Sequence, residues 1–180
     1  MIASAGFSNR NDIFAKPAII TQFMHKGDMK SYLQNTTKSS TVTTKALMAY
    51  AKGVAEGIAH LHTYRFIHRD MAARNCLLDD RFVIKIADFG LTQEAEDYNY
   101  AAVQSELQIA ENEKEKLPVF WLAPEVFTQH LFSNASDTWA FAVTVWEFFT
   151  RCQQPYATWG PEWQEKLMNG YRLRKPLYVS

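Results

Sequence analysis

Residues 68–90 read HRDMAARNCLLDDRFVIKIADFG, from His68 to Gly90, and this stretch guides the interpretation of the rest of the chain. Asp70 can accept a proton, and Asn75 and Asp88 carry oxygen atoms of the kind that Mg²⁺ prefers in proteins. Between Asn75 and Asp88, two short apolar runs flank a polar turn, and this pattern predicts a β-hairpin. The hairpin would return Asp88 to Asn75. The stretch therefore predicts a proton acceptor and two metal ligands in one place.

The composition is that of a globular domain with a substantial core. Of the 180 residues, 47% are hydrophobic, and 19 basic residues balance 19 acidic ones. This balance gives no reason to expect nucleic acid or an anionic membrane as a partner. Two cysteines, Cys76 and Cys152, are too few for a disulfide framework and favour a reducing compartment. No stretch approaches the roughly 20 apolar residues of a membrane span, and the N-terminus lacks the features of a secretory signal.

The first half of the chain predicts short elements followed by one long helix. Residues 18–23 are expected to form a short buried strand, and Asp28 is expected to cap a short helix. A linker rich in Ser and Thr then leads to residues 44–62, whose apolar side chains recur in 4-3-4-3 steps and predict an amphipathic helix. Gly53 and Gly57 weaken that helix, so we expect them to permit close packing by a neighbouring element.

The second half of the chain predicts a long polar loop and further helices. Residues 91–116 have no core periodicity and are expected to form a loop. Residues 137–150 are apolar nearly all round, which predicts a helix buried in the middle of the domain. Residues 161–169 predict a last helix, with Gly170 as its C-cap. The predicted fold class is α+β, mainly helical with short β hairpins.

Three motifs follow one another in the order and at the separations found in protein kinases. They are residues 68–75, Asp88-Phe89-Gly90 and Ala123-Pro124-Glu125, which resemble the catalytic loop, the metal-binding loop and the end of the activation segment. Taken singly, Asp70 also fits a turn and Asp88 a solvated carboxylate, but the ordered set favours the kinase interpretation. The resemblance spans residues 17–176 and implies a protein-kinase-like C-terminal lobe. It implies Asp70 as the base and Asn75 and Asp88 as ligands of Mg²⁺ beside ATP.

The catalytic-loop residues also resemble one substrate class within the family. Ala72 stands where serine/threonine kinases usually carry Lys, and Arg74 stands where receptor-type tyrosine kinases carry Arg. The resemblance therefore implies that Arg74 positions a tyrosine hydroxyl and that protein tyrosines are the substrates. Pro118 and Trp121 resemble the platform beneath the substrate phenol ring. Features near the hinge are most similar to the group that includes the Axl and Mer receptors.

Further roles are carried over from the resemblance position by position. The adenine pocket would be lined by Thr21 as gatekeeper, by Gln22 and Met24 in the hinge, and by Leu77 as its floor. Regulatory positions would be Arg69, which would pair with a phosphorylated loop, and Tyr98 and Tyr100, which would be phosphorylated, also by a kinase partner in trans. Structural positions would be Asp137, which would bond the catalytic-loop backbone, and Glu125. Exposed loop tyrosines and buried strand threonines are also common without such roles.

The chain also departs from the family pattern. Its seven glycines are scattered, so there is no glycine-rich loop, and no strand lysine precedes Thr21 at the family's distance. We therefore expect residues 1–16 to be a remnant before the hinge. Residues 17–180 are expected to be a partial kinase domain, with the N-terminal lobe absent and the last helices truncated. At a finer scale, Phe120 stands where Lys or Arg usually precedes Trp121.

Three functional hypotheses follow from these observations. The first is a receptor-type protein tyrosine kinase that uses ATP and Mg²⁺, at the cytoplasmic face and membrane-associated when part of a full receptor. The second is a non-catalytic, pseudokinase-like interaction protein that cannot hold ATP, and under either hypothesis we expect the isolated chain to be inactive. The third, an aminoglycoside-type phosphotransferase, is disfavoured because Ala123-Pro124-Glu125 and the Pro118 platform have no place in it.

Overall fold

The computed structural model describes residues 19–35, 42–95 and 118–176. Within these ranges the helices are α1 Met29–Asn35, α2 Thr44–Thr63, α3 Pro124–Gln129, α4 Asn134–Phe149 and α5 Trp163–Met168, with 3₁₀ turns at Ala73–Asn75, Val119–Trp121 and Ala157–Glu162. The strands are β1 Gly27–Asp28, β2 Phe66–Ile67, β3 Cys76–Leu78, β4 Ile84–Ile86 and β5 Gln93–Glu94. This confirms the predicted fold class, which is mainly helical with short β hairpins. No described helix is long and apolar enough to cross a membrane.

Capping residues fix where the helices begin. The Asp28 carboxylate accepts the Ser31 N–H at 2.8 Å, which confirms the predicted cap of α1. The Thr43 hydroxyl accepts the Ala46 N–H at the start of α2. Ser133 and Ser136 form a reciprocal capping box, so α4 begins at residue 134 and not at the predicted residue 137.

Helix α2 packs against helix α4 and against strand β4 of the hairpin. α2 buries the apolar side chains that the 4-3-4-3 pattern predicted, among them Leu47, Val54 and Ile58. A Cβ atom added at Gly53 would lie 2.6 Å from Ile84 Cγ2 in β4. One added at Gly57 would lie 2.8 Å from the Ile86 Cδ1 atom. The predicted close approach is therefore confirmed, and its partner is β4.

The strands form two small antiparallel sheets. β1, β3 and β4 pair in the order β1-β3-β4, with Asp28 opposite Leu77 and Cys76 opposite Ile86. This confirms the predicted hairpin between the catalytic loop and residue 88. β2 pairs with β5, which lies inside the segment predicted to be a loop. That part of the loop prediction is wrong, because pairing with β2 satisfies backbone groups that a sequence pattern alone leaves unassigned.

The prediction of a buried strand at residues 18–23 is wrong. Residues 19–23 form no strand, and Ile19 and Phe23 are 78% and 73% exposed. Among the described residues no strand runs beside them, and an unpaired strand has no ladder hydrogen bonds to stabilise it. The first strand is instead β1.

The last predicted helix is shorter than expected. Gly160 has φ 68° and ψ −160°, which interrupts the helical path just before Pro161. Residues 161 and 162 belong to the 3₁₀ segment that spans this kink, so α5 starts at Trp163, and it buries Leu167.

Candidate active site

The backbone that precedes Asp70 is held by a carboxylate from α4. Asp137 is 1% exposed, and its Oδ2 accepts the His68 N–H at 2.8 Å while its Oδ1 accepts the Arg69 N–H at 3.0 Å. The His62 Nε2 atom lies 3.0 Å from the same Oδ2. Arg69 has φ 68°, a left-handed conformation that costs energy in a residue with a Cβ atom. The two hydrogen bonds from Asp137 stabilise this turn of the chain.

The His68 side chain connects the catalytic loop to the segment before Asp88. Its Nδ1 accepts the Asp70 N–H at 3.2 Å, and its Nε2 lies 3.2 Å from the Ala87 carbonyl oxygen. Since a carbonyl only accepts, Nε2 carries the proton and the ring is neutral. Burial of the ring lowers the pKa of His68, which favours this neutral form. The ring also lies 5.4 Å from that of Phe89.

Asp70 is held by two side chains from the next turn of its own loop. Arg74 forms an ion pair with Oδ1, and the Asn75 Nδ2 atom donates to Oδ2 at 2.8 Å and to the Asp70 carbonyl at 2.7 Å. The Asp70 side chain is 14% exposed. Burial raises the pKa of Asp70, and the charge of Arg74 and the bond from Asn75 partly oppose that shift. The result is a fixed carboxylate of increased basicity, which is what a proton acceptor requires.

Asn75 and Asp88 are the residues whose oxygens suit a magnesium ion. The Asn75 Nδ2 group is used by Asp70, and its Oδ1 makes no hydrogen bond with any described residue. The Ala87 N–H donates to the Asn75 carbonyl at 2.8 Å, which places Asp88 directly after a residue bonded to Asn75. Asp88 is exposed, has φ 62°, and accepts the Gly90 N–H at 3.3 Å.

The oxygen atoms of Asn75 and Asp88 suit a metal ion that is bound together with a nucleotide. In the three described ranges there is no cluster of three or more His, Cys, Asp or Glu side chains that could hold a metal. Magnesium often takes only one or two protein carboxylates together with substrate phosphates. One amide oxygen and one exposed carboxylate therefore fit Mg²⁺ bound with a nucleotide, and do not fit an all-protein metal cage.

The predicted adenine-pocket residues lie in two different environments. Met24 and Leu77 are half-buried, and the Lys26 N–H bonds the Leu78 carbonyl at 3.0 Å, which joins the segment after Met24 to β3. Thr21 and Gln22 are exposed, and the Gln22 side chain accepts a hydrogen bond from Lys85. The structure thus brings Met24 close to the strand of Leu77 and leaves Thr21 and Gln22 at the surface.

The predicted substrate platform lies beside the catalytic loop. Pro118 is buried, and Trp121 ends the 3₁₀ turn that follows it. The Arg74 Cζ atom lies 5.1 Å from the centroid of the Trp121 ring. The same arginine therefore contacts both Asp70 and the platform.

Glu147 is a site residue that the sequence analysis missed. It lies in α4, is 3% exposed, and its Oε2 accepts both the Ala73 N–H at 2.9 Å and the Trp121 Nε1–H at 2.8 Å. Burial raises the pKa of Glu147, and these two hydrogen bonds oppose the shift. The available signal was an acidic residue inside a helix that is otherwise apolar nearly all round.

The remaining predicted positions are only partly described. Arg69 is 8% exposed, donates to the Gln93 Oε1 atom at 3.2 Å, and has its Cζ atom 4.3 Å from the centroid of the Phe132 ring. Tyr98 and Tyr100 lie outside the described residues. Glu125 is half-buried in the first turn of α3, and it makes no ion pair within the part of the chain that is described.

Two comparisons with known proteins identify the family of the chain. The family model of protein tyrosine and serine/threonine kinases matches residues 7–180. The tyrosine-protein kinase receptor svh-2 of Caenorhabditis elegans is 42% identical to this chain over 168 residues. That match covers 90% of this chain and 14% of the receptor, so the chain spans a small part of the length of this relative.

Proposed function

The chain belongs to the protein tyrosine and serine/threonine kinase family, and from this premise we propose that it is part of a protein tyrosine kinase. The reaction is transfer of the γ-phosphoryl group of ATP to a protein tyrosine, with Mg²⁺ as the cofactor metal. The observation that carries the proposal is the fixed carboxylate of Asp70, which two residues of the same loop hold from either side.

Each residue of the catalytic loop has a task in this reaction. Asp70 accepts the proton of the attacking hydroxyl, and its raised pKa improves it as an acceptor. The Asn75 amide group orients Asp70 through its nitrogen and offers its oxygen to the metal. Asp88 offers a carboxylate from the neighbouring segment. Bound Mg²⁺ would neutralise charge on the transferring phosphoryl group.

The environment of Asp70 supports tyrosine as the acceptor. Ala72 is fully buried and uncharged, so the loop has no lysine at the position where serine/threonine kinases carry one. Arg74 lies instead between Asp70 and the ring of Trp121, and its side chain is 38% exposed. A phenol ring above Pro118 would place its hydroxyl toward this arginine and the Asp70 carboxylate.

We propose the domain boundaries and a nucleotide site from the same family relationship. Residues 1–16 precede the hinge, and residues 17–180 are a partial kinase domain with the hinge and the C-terminal lobe. Met24 and Leu77 would contact adenine from one side, with Thr21 and Gln22 at the edge of the pocket. Since the 180 residues contain neither a glycine-rich loop nor a strand lysine, they supply one face of the cleft, and the isolated chain is inactive.

The proposed phosphorylation sites and cellular location also follow from the kinase family relationship. Arg69 would pair with phosphate on Tyr98 or Tyr100, transferred by the protein itself or by a kinase partner in trans. The relative is a receptor, so we place the catalytic part at the cytoplasmic face, associated with a membrane through the full receptor.

The alternative function is a non-catalytic, pseudokinase-like interaction protein. The observation that favours it is the scattering of the glycines, because it leaves the phosphate-binding half of the cleft unaccounted for in this chain. On this alternative the catalytic loop and platform persist as a docking surface, and ATP is not held.

Substitution of Asp70 tests the proposal against the alternative. The native full-length protein and its Asp70→Asn variant are assayed for transfer of labelled phosphate from ATP to a poly-Glu-Tyr substrate. Loss of the base lowers the rate by about 10² to 10⁴-fold. Asp80→Asn, which changes an exposed carboxylate in the hairpin turn, serves as the control. Equal rates for the Asp70 variant and the wild type would reject the proposed base, and no transfer by the wild type would favour the alternative.

A further inference from the structure

The substrate platform continues into a pair of aromatic side chains. Phe120 lies in the same 3₁₀ turn as Trp121, and the centroids of their rings are 6.5 Å apart. The Phe120 ring also lies 4.8 Å from the ring of Trp163, the first residue of α5. Phe120 and Trp163 are both half-buried, so part of each side chain stays exposed. The two residues form an aromatic shelf beside the platform.

Two further rings hold Trp163 in place. The Tyr156 ring stacks on it at 5.8 Å with an interplanar angle of 16°, and the Phe127 ring contacts it edge-on at 6.0 Å. Tyr156 is only 4% exposed, so the Trp163 ring rests on the buried part of the domain. Aromatic pairs at these distances have preferred geometries. A rigid aromatic surface of this kind loses little conformational entropy when it binds a ligand.

The charged groups near the shelf disfavour an acidic ligand. Glu162 directly precedes α5, its side chain is 68% exposed, and its carboxylate lies 3.4 Å from the Lys166 Nζ atom. Arg74, the cation beside the platform, forms its ion pair with Asp70. Each of these cations already has an acidic partner. An acidic side chain would therefore lose water without a new ion pair from either, whereas an apolar side chain would bury its surface against two rings.

The shelf lies within reach of a peptide whose tyrosine is at Asp70. Arg74 contacts Asp70, and its Cζ atom lies 5.1 Å from the centroid of the Trp121 ring. The Phe120 ring is a further contact of Trp121. An extended chain advances about 3.3 Å per residue, so each of these contacts spans one or two residues of such a peptide. The surface that holds the tyrosine is therefore continuous with the shelf.

We propose that the aromatic shelf is a specificity determinant, which selects peptides with an apolar or aromatic side chain within about three residues of the acceptor tyrosine. This inference rests on the proposed function, because the shelf extends the platform that would hold that tyrosine. Phe120 stands where Lys or Arg is usual in the family, so this chain replaces a positive charge at the platform by an apolar ring.

Substitutions at Phe120 test whether the shelf selects the peptide. The native full-length protein is assayed with peptides that share one tyrosine and carry either Leu or Glu at each of the three positions on both sides of it. At the preferred position, kcat/KM is about 10-fold higher for Leu than for Glu. Phe120→Leu keeps this ratio, and Phe120→Lys abolishes or reverses it. Met48→Lys, which makes a similar change at an exposed position of α2, is the control and keeps the wild-type ratio.

Peptide binding separates this inference from the proposed function. Peptides with Phe in place of the tyrosine cannot be phosphorylated, and fluorescence anisotropy measures their affinity for the native full-length protein. The Leu peptide binds wild type about 10-fold more tightly than the Glu peptide, and Phe120→Lys removes this difference. Equal affinities in wild type, or a ratio that Phe120→Lys leaves unchanged, would overturn the role of the shelf. If the wild-type protein phosphorylates no tyrosine, the proposed function fails, and the binding ratio still decides whether the shelf selects apolar side chains.

Discussion

Replacing Asp137 by Asn removes the negative charge and one of the acceptors that hold the catalytic loop. In the native structure Oδ1 serves the Arg69 N–H and Oδ2 serves the His68 N–H and His62. An amide group has only one oxygen, so one of the two backbone N–H groups must face an NH₂ group. His68 and Arg69 are 0% and 8% exposed, so water does not replace the lost acceptor.

The expected decrease in the free energy of unfolding follows from the loss of one hydrogen-bond acceptor. One buried N–H without an acceptor costs about 1–3 kcal/mol. The remaining bonds lose their charge assistance, which makes each of them weaker. The free energy of unfolding should therefore fall by about 2–4 kcal/mol, a large part of the 5–15 kcal/mol typical of a domain.

Urea unfolding followed by circular dichroism measures this change. Asp137→Asn should lower the midpoint without changing the m-value, and amide exchange should accelerate at residues 68 and 69. Asp80→Asn, at an exposed position, should stay within about 0.5 kcal/mol of wild type. A loss below about 1 kcal/mol, or one equal to that of the control, would refute the view that Asp137 anchors the loop.

Three further predictions concern packing, thiol chemistry and pH. Gly53→Ala should lower the free energy of unfolding by about 1–3 kcal/mol, because the added Cβ meets a branched methyl group of Ile84. Gly57→Ala should cost less, because the Cδ1 end of Ile86 can rotate away. Equal losses for the two variants in urea unfolding would contradict this prediction. Cys76 and Cys152 are buried, and burial raises the pKa of Cys152 to about 12. The thiol reagent DTNB at pH 8 should therefore label neither cysteine in the folded chain and both cysteines in guanidinium. Rapid labelling of the folded chain would contradict the buried placement. Burial raises the pKa of Glu147 above its ordinary value of 4.5, so protonation favours the folded state. The stability of wild type relative to Glu147→Gln should therefore increase as the pH falls from neutral toward that ordinary value. Urea unfolding of both proteins at several pH values measures this difference, and a decrease on acidification would show that the sign is wrong.

Local features of the sequence predicted local features of the fold. Asp28 caps α1, the residues with the 4-3-4-3 spacing form α2, and the two apolar runs after Asn75 form β3 and β4. The contacts of Arg74 and Asn75 with Asp70 also join residues only four and five positions apart. The cap, the helix and the hairpin were predicted from spacing and residue type, whereas the roles of Arg74 and Asn75 came from the resemblance to kinases and their contacts with Asp70 were not predicted.

The features that the sequence did not predict depend on partners far along the chain. β5 exists because β2 lies beside it, and residues 19–23 form no strand because no described strand pairs with them. Glu147 looked like an interruption in an apolar helix, since its two donors belong to other segments. Periodicity and propensity describe neighbours in sequence, and they contain no information about such long-range hydrogen bonds.

Phosphoamino-acid analysis distinguishes the proposed phosphorylation of tyrosine from phosphorylation of serine or threonine. The native full-length protein is incubated with labelled ATP, Mg²⁺ and a mixture of tyrosine-, serine- and threonine-containing peptides, and the products are hydrolysed and separated. We expect label on phosphotyrosine, dependent on Mg²⁺ and lost in Asp70→Asn. Label on phosphoserine or phosphothreonine, or phosphotyrosine that persists in the Asp70 variant, would contradict it.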